Sequence, residues 1–249
     1  MSGHSKWSTI KRKKGKADAE RGRLFGKIIR SISVAARHGS DPETNADLRN
    51  AIQLARENNM PNENIERAIK KGTGELDGIS YEEVIYEGYG PGGVAVLAEV
   101  VTDNRNRTVS EIRRIFSKNG GNLGSTGCVA WIFSKMAYFS FDRDKVNQDK
   151  ILDLALEVEV DDIEIDEKNF EVTLATSEFE KFKQLLVENQ IEYSLAEITM
   201  VPQSTVELDE KKAEQMLSLM EQLEEQDDVQ NVYANFNIDD KIMEELTAG

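Results

Sequence analysis

The side chains in this sequence best suited to chemistry are cations, and the chemistry they suit is the grip of a polyanion. Eleven Lys and Arg occur in the first 37 residues against two acids, Asp18 and Glu20. Lys6, Lys11, Arg12, Lys13, Lys14 and Lys16 surround Trp7, and Arg21, Arg23, Lys27, Arg30 and Arg37 follow them. At about 100° per helical residue, Lys27, Arg30 and Arg37 fall within about 40° of Arg23. Phe25, Ile28, Ile29, Ile32, Ala35 and Ala36 centre on the opposite side, so one face is core and the other cationic. Solvated charged faces ordinarily interleave acids at i to i+4, yet none occurs between Arg21 and Arg37. The pattern predicts phosphate binding. Trp7 has two readings: it stacks on an unpaired base, or it anchors the arm on the helices behind it.

The formal net charge of -15 hides this basic end. Up to Lys71 there are 16 basic and 8 acidic residues, and beyond it 15 basic and 38 acidic. A phosphate backbone is attracted to one end and repelled by the other, which predicts a nucleic acid with a defined docking face.

Other motifs fail on context. Gly88, Gly90 and Gly93 match G-x-G-x-x-G, but a dinucleotide site needs a strand before the glycines and a helix opening within them. Here the apolar run starts afterwards at Val94, and Pro91 marks a turn. Gly22, Gly26 and Lys27 fall one residue short of a phosphate loop, and Ile28 replaces the required hydroxyl residue. His4 and His38 lack a nucleophile and acid arrangement, and Cys128, the single cysteine, has no local cation to activate it. The cluster Asp161, Asp162, Glu164, Asp166 and Glu167 alternates with Ile163 and Ile165 as a strand with a solvated acidic face does. No catalytic residue, metal ligand, cofactor or small-molecule substrate is expected. Arg105 and Arg107 lie where a strand gives way to a helix, a position that attracts anions. They either make a second nucleic-acid contact or form a network with Asp103 and Glu99.

The elements that position these groups follow from periodicity. Residues 1–16 read as a flexible basic arm. Helices are expected over about 17–38, from Asn45 to Pro61, and over a short stretch closing at Gly72, giving a three-helix unit. A strand follows over 94–101, then a helix opened by a Thr108/Glu111 capping box and closed at Gly120 and Gly121. Strands around 129–133 and 137–141 would make β-α-β-β. A helix from Asp209 and a strand through Val232, Ala234, Phe236 and Ile238 would complete a ferredoxin-like unit. The acidic α-β-β-α-β stretch between them suggests an insertion. The expected fold is α+β in three domains: 1–78, a basic arm and helical bundle; 79–143 plus 205–240, a split ferredoxin-like domain; and 144–204, an inserted acidic α+β domain. No apolar run is long enough to cross a bilayer, and no apolar segment follows the basic start, which predicts a cytoplasmic protein with no membrane partner.

Several stretches resemble the YebC family: Gly3-His4-Ser5-Lys6-Trp7, Asn59-Met60-Pro61, Tyr86 to Gly93 as YEGYGPGG, Thr102 to Thr108 as TDNRNRT, and Gly120-Gly121-Asn122-Leu123-Gly124. The resemblance implies three domains, helical first, with the third inserted in the second. It also implies a non-enzymatic regulator of gene expression. Members of that family carry the label of DNA-binding transcriptional regulator, and others resemble ribosome-associated factors that help translation through proline runs, including mitochondrial translational activators of cytochrome oxidase. The expected partner is therefore DNA or ribosomal RNA, the latter on the ribosome. An enzyme acting on nucleic acid would need carboxylates clustered beside the basic face, and those are remote in sequence.

Overall fold

The computed structural model describes residues 17–76, 80–165 and 169–239, together with 242, 243 and 246. The candidate residues Lys6, Trp7, Lys11, Arg12, Lys13, Lys14 and Lys16 lie outside them.

Three helices come first: α1 (Ala17–Ala35), α2 (Ala46–Glu57) and α3 (Asn62–Gly72). Asn45 fixes the first corner: its side-chain oxygen caps α2 at the Leu48 N–H, and its amide donates to the carbonyls of Ala35 and Gly39. Asn59 ends α2 in the left-handed region (φ 57°), which Asn tolerates, and Met60 then enters the core. That core joins Ile28, Ile32, Leu48, Ile52, Ile65 and Ala68. The helical periods of the sequence are met here almost residue for residue.

The remainder is α+β. Strands β1 (Glu82–Tyr89) and β2 (Ala95–Thr102) form a hairpin, α4 (Arg105–Lys118) follows, and β3 (Asn122–Leu123) returns to the edge beside β1. Strand β4 (Phe133–Asp142), helix α5 (Gln148–Ala155), strands β5 (Val160–Ile165) and β6 (Asn169–Leu174), helix α6 (Phe179–Glu188) and strand β7 (Leu195–Pro202) come next. The chain closes with β8 (Val206–Glu207), α7 (Glu210–Glu225), β9 (Val229–Ala234) and β10 (Phe236–Asn237). One sheet has the order β3-β1-β2-β9, a second β5-β6-β4-β7, and β8 pairs with β10 in parallel. Helices α4 and α7 cover one face of the first sheet through Ile112, Phe116, Met216, Leu219 and Leu223. The second sheet packs Phe139, Phe141, Phe170 and Val172 against Ile151 of α5 and Phe182 of α6.

Three local expectations are corrected. Residues 137–141 do not complete the first sheet: they belong to β4, which pairs with β6 and β7. The first sheet takes β1 instead, whose pattern is inverted, with Ile85 exposed and Glu87 buried, so alternation alone does not reveal it. Residues 130–132 form a 3-10 turn rather than a strand. Finally, α4 starts at Arg105 with Asn104 as its cap, accepting from the Arg107 N–H. Thr108 lies inside the helix because its hydroxyl has a better partner, the carboxylate of Asp228 at 2.7 Å.

Candidate nucleic-acid interface

The cationic stripe of α1 forms as its spacing demands, but its outer half meets the molecule's own negative end. The Arg23 guanidinium lies 3.3 Å from the Glu225 carboxylate. One turn on, Lys27 Nζ donates to the Glu224 carbonyl at 2.7 Å, and Arg30 donates to the Asp227 carbonyl at 2.7 Å. These carbonyls lie at and just beyond the C-terminus of α7, where the helix dipole adds negative potential. Ser31 donates to the side chain of Gln230 at 3.2 Å, extending the seam. Arg37 points elsewhere and donates to the Tyr81 carbonyl. Arg21 is exposed, and no ion pair among the described residues includes it.

Asp228 is the centre of this seam. It is only 3 % exposed and accepts from Thr108 at 2.7 Å, Arg107 at 2.8 Å and Thr102 at 3.1 Å, with Arg30 at 3.6 Å. Burial, the largest influence, pushes its carboxyl upward, but the hydrogen bonds from Thr108 and Arg107 outweigh it and hold the carboxyl below its ordinary value. The same contacts raise Arg107, whose second partner is Asp103 at 2.7 Å. Magnitudes rank the seam. The Arg23–Glu225 pair is largely exposed and contributes at most about 1 kcal/mol, whereas a buried carboxylate with this many donors costs several-fold more to disrupt.

Of the residues singled out from sequence, Arg23, Lys27 and Arg30 are brought together, but onto the C-terminal end of α7 and the turn after it rather than toward open solvent. Arg107 joins the network with Asp103, and Arg105 pairs at 3.8 Å with Glu82. Glu99 takes no part, binding Asn231 and Tyr233 instead. Carboxylates remote in sequence do arrive beside the basic helix, yet they arrive as its ion partners. Among the described residues no group of His, Cys, Asp and Glu is arranged to hold a metal ion, and no helix is long and apolar enough to cross a membrane.

Sequence reasoning missed Asp228, whose partners lie more than a hundred residues away. It also missed a second cationic surface. Helix α4 exposes Asn106, Ser110, Arg113, Arg114, Ser117 and Lys118, while Glu111, its single carboxylate, receives the Gln226 amide at 2.8 Å. The absence of interleaved acids, the signal used for α1, was present here too.

Residues 5–75 match the profile described as the TACO1/YebC protein N-terminal domain, and residues 81–236 that described as the TACO1/YebC second and third domain. A probable transcriptional regulatory protein of Syntrophus aciditrophicus is 59% identical over 250 residues, covering 100% of both chains. One of Syntrophobacter fumaroxidans is 56% identical, covering 99% of this chain and 100% of its own. The crystal structure of a conserved hypothetical protein from Aquifex aeolicus superposes with a TM-score of 0.75 at 48% identity, over 90% of this chain and 93% of that one. With both profiles matched in chain order and full-length relatives at such identity, this chain belongs to the TACO1/YebC family.

Proposed function

We propose that the chain is a non-enzymatic, nucleic-acid-binding regulator of gene expression whose first polyanion contact is its basic arm, continued by Arg21, with ribosomal RNA as the partner the geometry supports best. The observation that carries this reading is the closure of the α1 stripe. For α1 to lie on a duplex, Arg23, Lys27 and Arg30 would have to leave Glu225, the Glu224 and Asp227 carbonyls and Asp228. The arm carries six cations and no acid before Asp18, so it adds polyanion affinity without breaking that seam.

The partition that goes with this reading has a helical unit, a split unit built on the first sheet, and an inserted acidic unit beginning near Phe133. The order β4-α5-β5-β6-α6-β7, with neighbouring strands antiparallel, gives the ferredoxin-like description to the inserted unit rather than the split one.

A second reading, a DNA-binding transcriptional regulator, is favoured by the names of the relatives. Salt-matched competition between purified ribosomes and duplex DNA separates the two. Ribosome preference that disappears when Lys11, Arg12, Lys13 and Lys14 become Glu supports the first. Duplex preference with selectivity among DNA sequences overturns it.

A further inference from the structure

Trp131 is 70% exposed, the largest exposure of an aromatic side chain among the described residues. Its Nε1 donates to the carbonyl of Cys128 at 3.1 Å, and the hydroxyl of Tyr89, itself 40% exposed, donates to that same carbonyl at 3.1 Å. Two rings therefore converge on one carbonyl oxygen. Beneath them the buried Glu87 carboxylate accepts from the backbone N–H groups of Gly127 at 2.6 Å, Val129 at 2.8 Å and Ala130 at 2.8 Å. Burial pushes this carboxyl up, but those donors outweigh burial and hold it below its ordinary value, so it stays charged and keeps the loop fixed. Around the rings the surface is stripped of side chains. Gly92 and Gly93 turn with φ of 77° and 80°, and Gly121 lies so close to Tyr89 that an added Cβ would stand 2.7 Å from its carbonyl oxygen.

We infer that Tyr89 and Trp131 form a stacking platform for an unpaired base of single-stranded RNA, with Arg114 and Lys118 of α4 and Lys135 of β4 taking the flanking phosphates. The polar tips of both rings are already bonded to Cys128, leaving π-faces without a hydrogen-bonding edge. A base stacks on such a face regardless of its identity. An extended peptide would instead need the indole N–H or phenol O–H for its main chain. Charge complementarity favours the strand as well. Arg114 and Lys118 occupy successive turns of the exposed α4 face, and the chain then passes through Gly121 to β3, which pairs with β1 at Tyr89. Lys135 is exposed four residues beyond Trp131, and no ion pair among the described residues includes it.

This inference rests on the nucleic-acid reading above and deepens it by naming the ligand as single-stranded. The test is fluorescence titration of the full chain carrying Trp7→Phe, so that Trp131 is the sole indole, with oligoadenylate of eight nucleotides. Saturable quenching is expected. Trp131→Ala should weaken binding about five- to a hundredfold with the salt slope unchanged, and Trp131→Phe should recover most of it. Arg114→Gln with Lys118→Gln should lower the slope by about 1.4. Thermal unfolding should stay unaltered, because these side chains are exposed. Quenching matched by heparin, which has no bases, would overturn the platform, as would quenching by oligoproline instead of RNA. Arm-dependent RNA binding that ignores Trp131→Ala would remove the platform alone, and loss of all RNA affinity in the unaltered chain would remove both readings.

Discussion

Asp228 sets how firmly the helical unit is held, because its carboxylate is the one acceptor shared by Arg30, Arg107, Thr102 and Thr108. Replacing it with Ala leaves those donors facing a buried gap. Asp228→Ala is expected to cost about 3 kcal/mol in denaturant unfolding. The pH dependence follows from linkage. The folded-state carboxyl titrates below its unfolded value, so its stabilisation is complete above the unfolded value near pH 4 and is lost as pH falls further through the folded one. Unfolding midpoints of the unaltered chain should therefore decline below about pH 4, and Asp228→Asn should flatten part of that decline. A variant with an unchanged acid limb would show that Asp228 is not the titrating group. At this scale the sequence reveals what is local. The run of cations in α1 was visible because helical spacing is fixed by geometry. Asp228 and Glu87 were not, because a carboxylate in a sequence looks solvated until distant donors surround it, and Trp131 sat inside an apolar stretch that reads as a buried strand.

Among the elements, the closest approach is between α1 and α3. A Cβ added at Gly72 would stand 2.7 Å from the Ala36 Cβ and within clashing distance of the Ser33 carbonyl oxygen. Ser33 also donates to the Ala68 carbonyl at 3.1 Å, so the two helices cannot part without losing that bond. Gly72→Ala is expected to destabilise the helical unit by about 1 to 3 kcal/mol, read as a lower midpoint of the helical signal in thermal circular dichroism. An unchanged midpoint would mean the contact yields freely. The three helices were legible because each keeps a single 3.6-residue period between strong breakers, Gly39, Pro42, Pro61 and Gly72. The sheets were less so. Strand β4 was recognised as a strand but given the wrong neighbours, since periodicity carries no pairing information. Strand β1 was passed over because its alternation is inverted by Glu87, the carboxylate that holds the Trp131 loop.

For the whole molecule, the segregation of charge survives folding in altered form. The acidic end of α7 and the turn after it close onto α1, the outer face of α4 opens a cationic surface within the otherwise acidic part, and the arm stands as the largest run of cations without acids in the sequence. The order of segments along the chain announced a split unit with an insertion, because a helix and a strand were missing from the middle and present at the end. Where the insertion begins was not announced, since β4 reads the same in either sheet. The account turns on which cations meet the nucleic acid, and the most direct measurement is the salt dependence of ribosomal RNA binding in three proteins: the unaltered chain, one with Lys11, Arg12, Lys13 and Lys14 changed to Gln, and one with Arg23, Lys27 and Arg30 changed to Gln, each checked for folding. The account predicts that the arm variant loses about 3 from the logarithmic slope and the α1 variant keeps the slope of the unaltered chain. An α1 variant that loses about 2 while the arm variant loses nothing would contradict it.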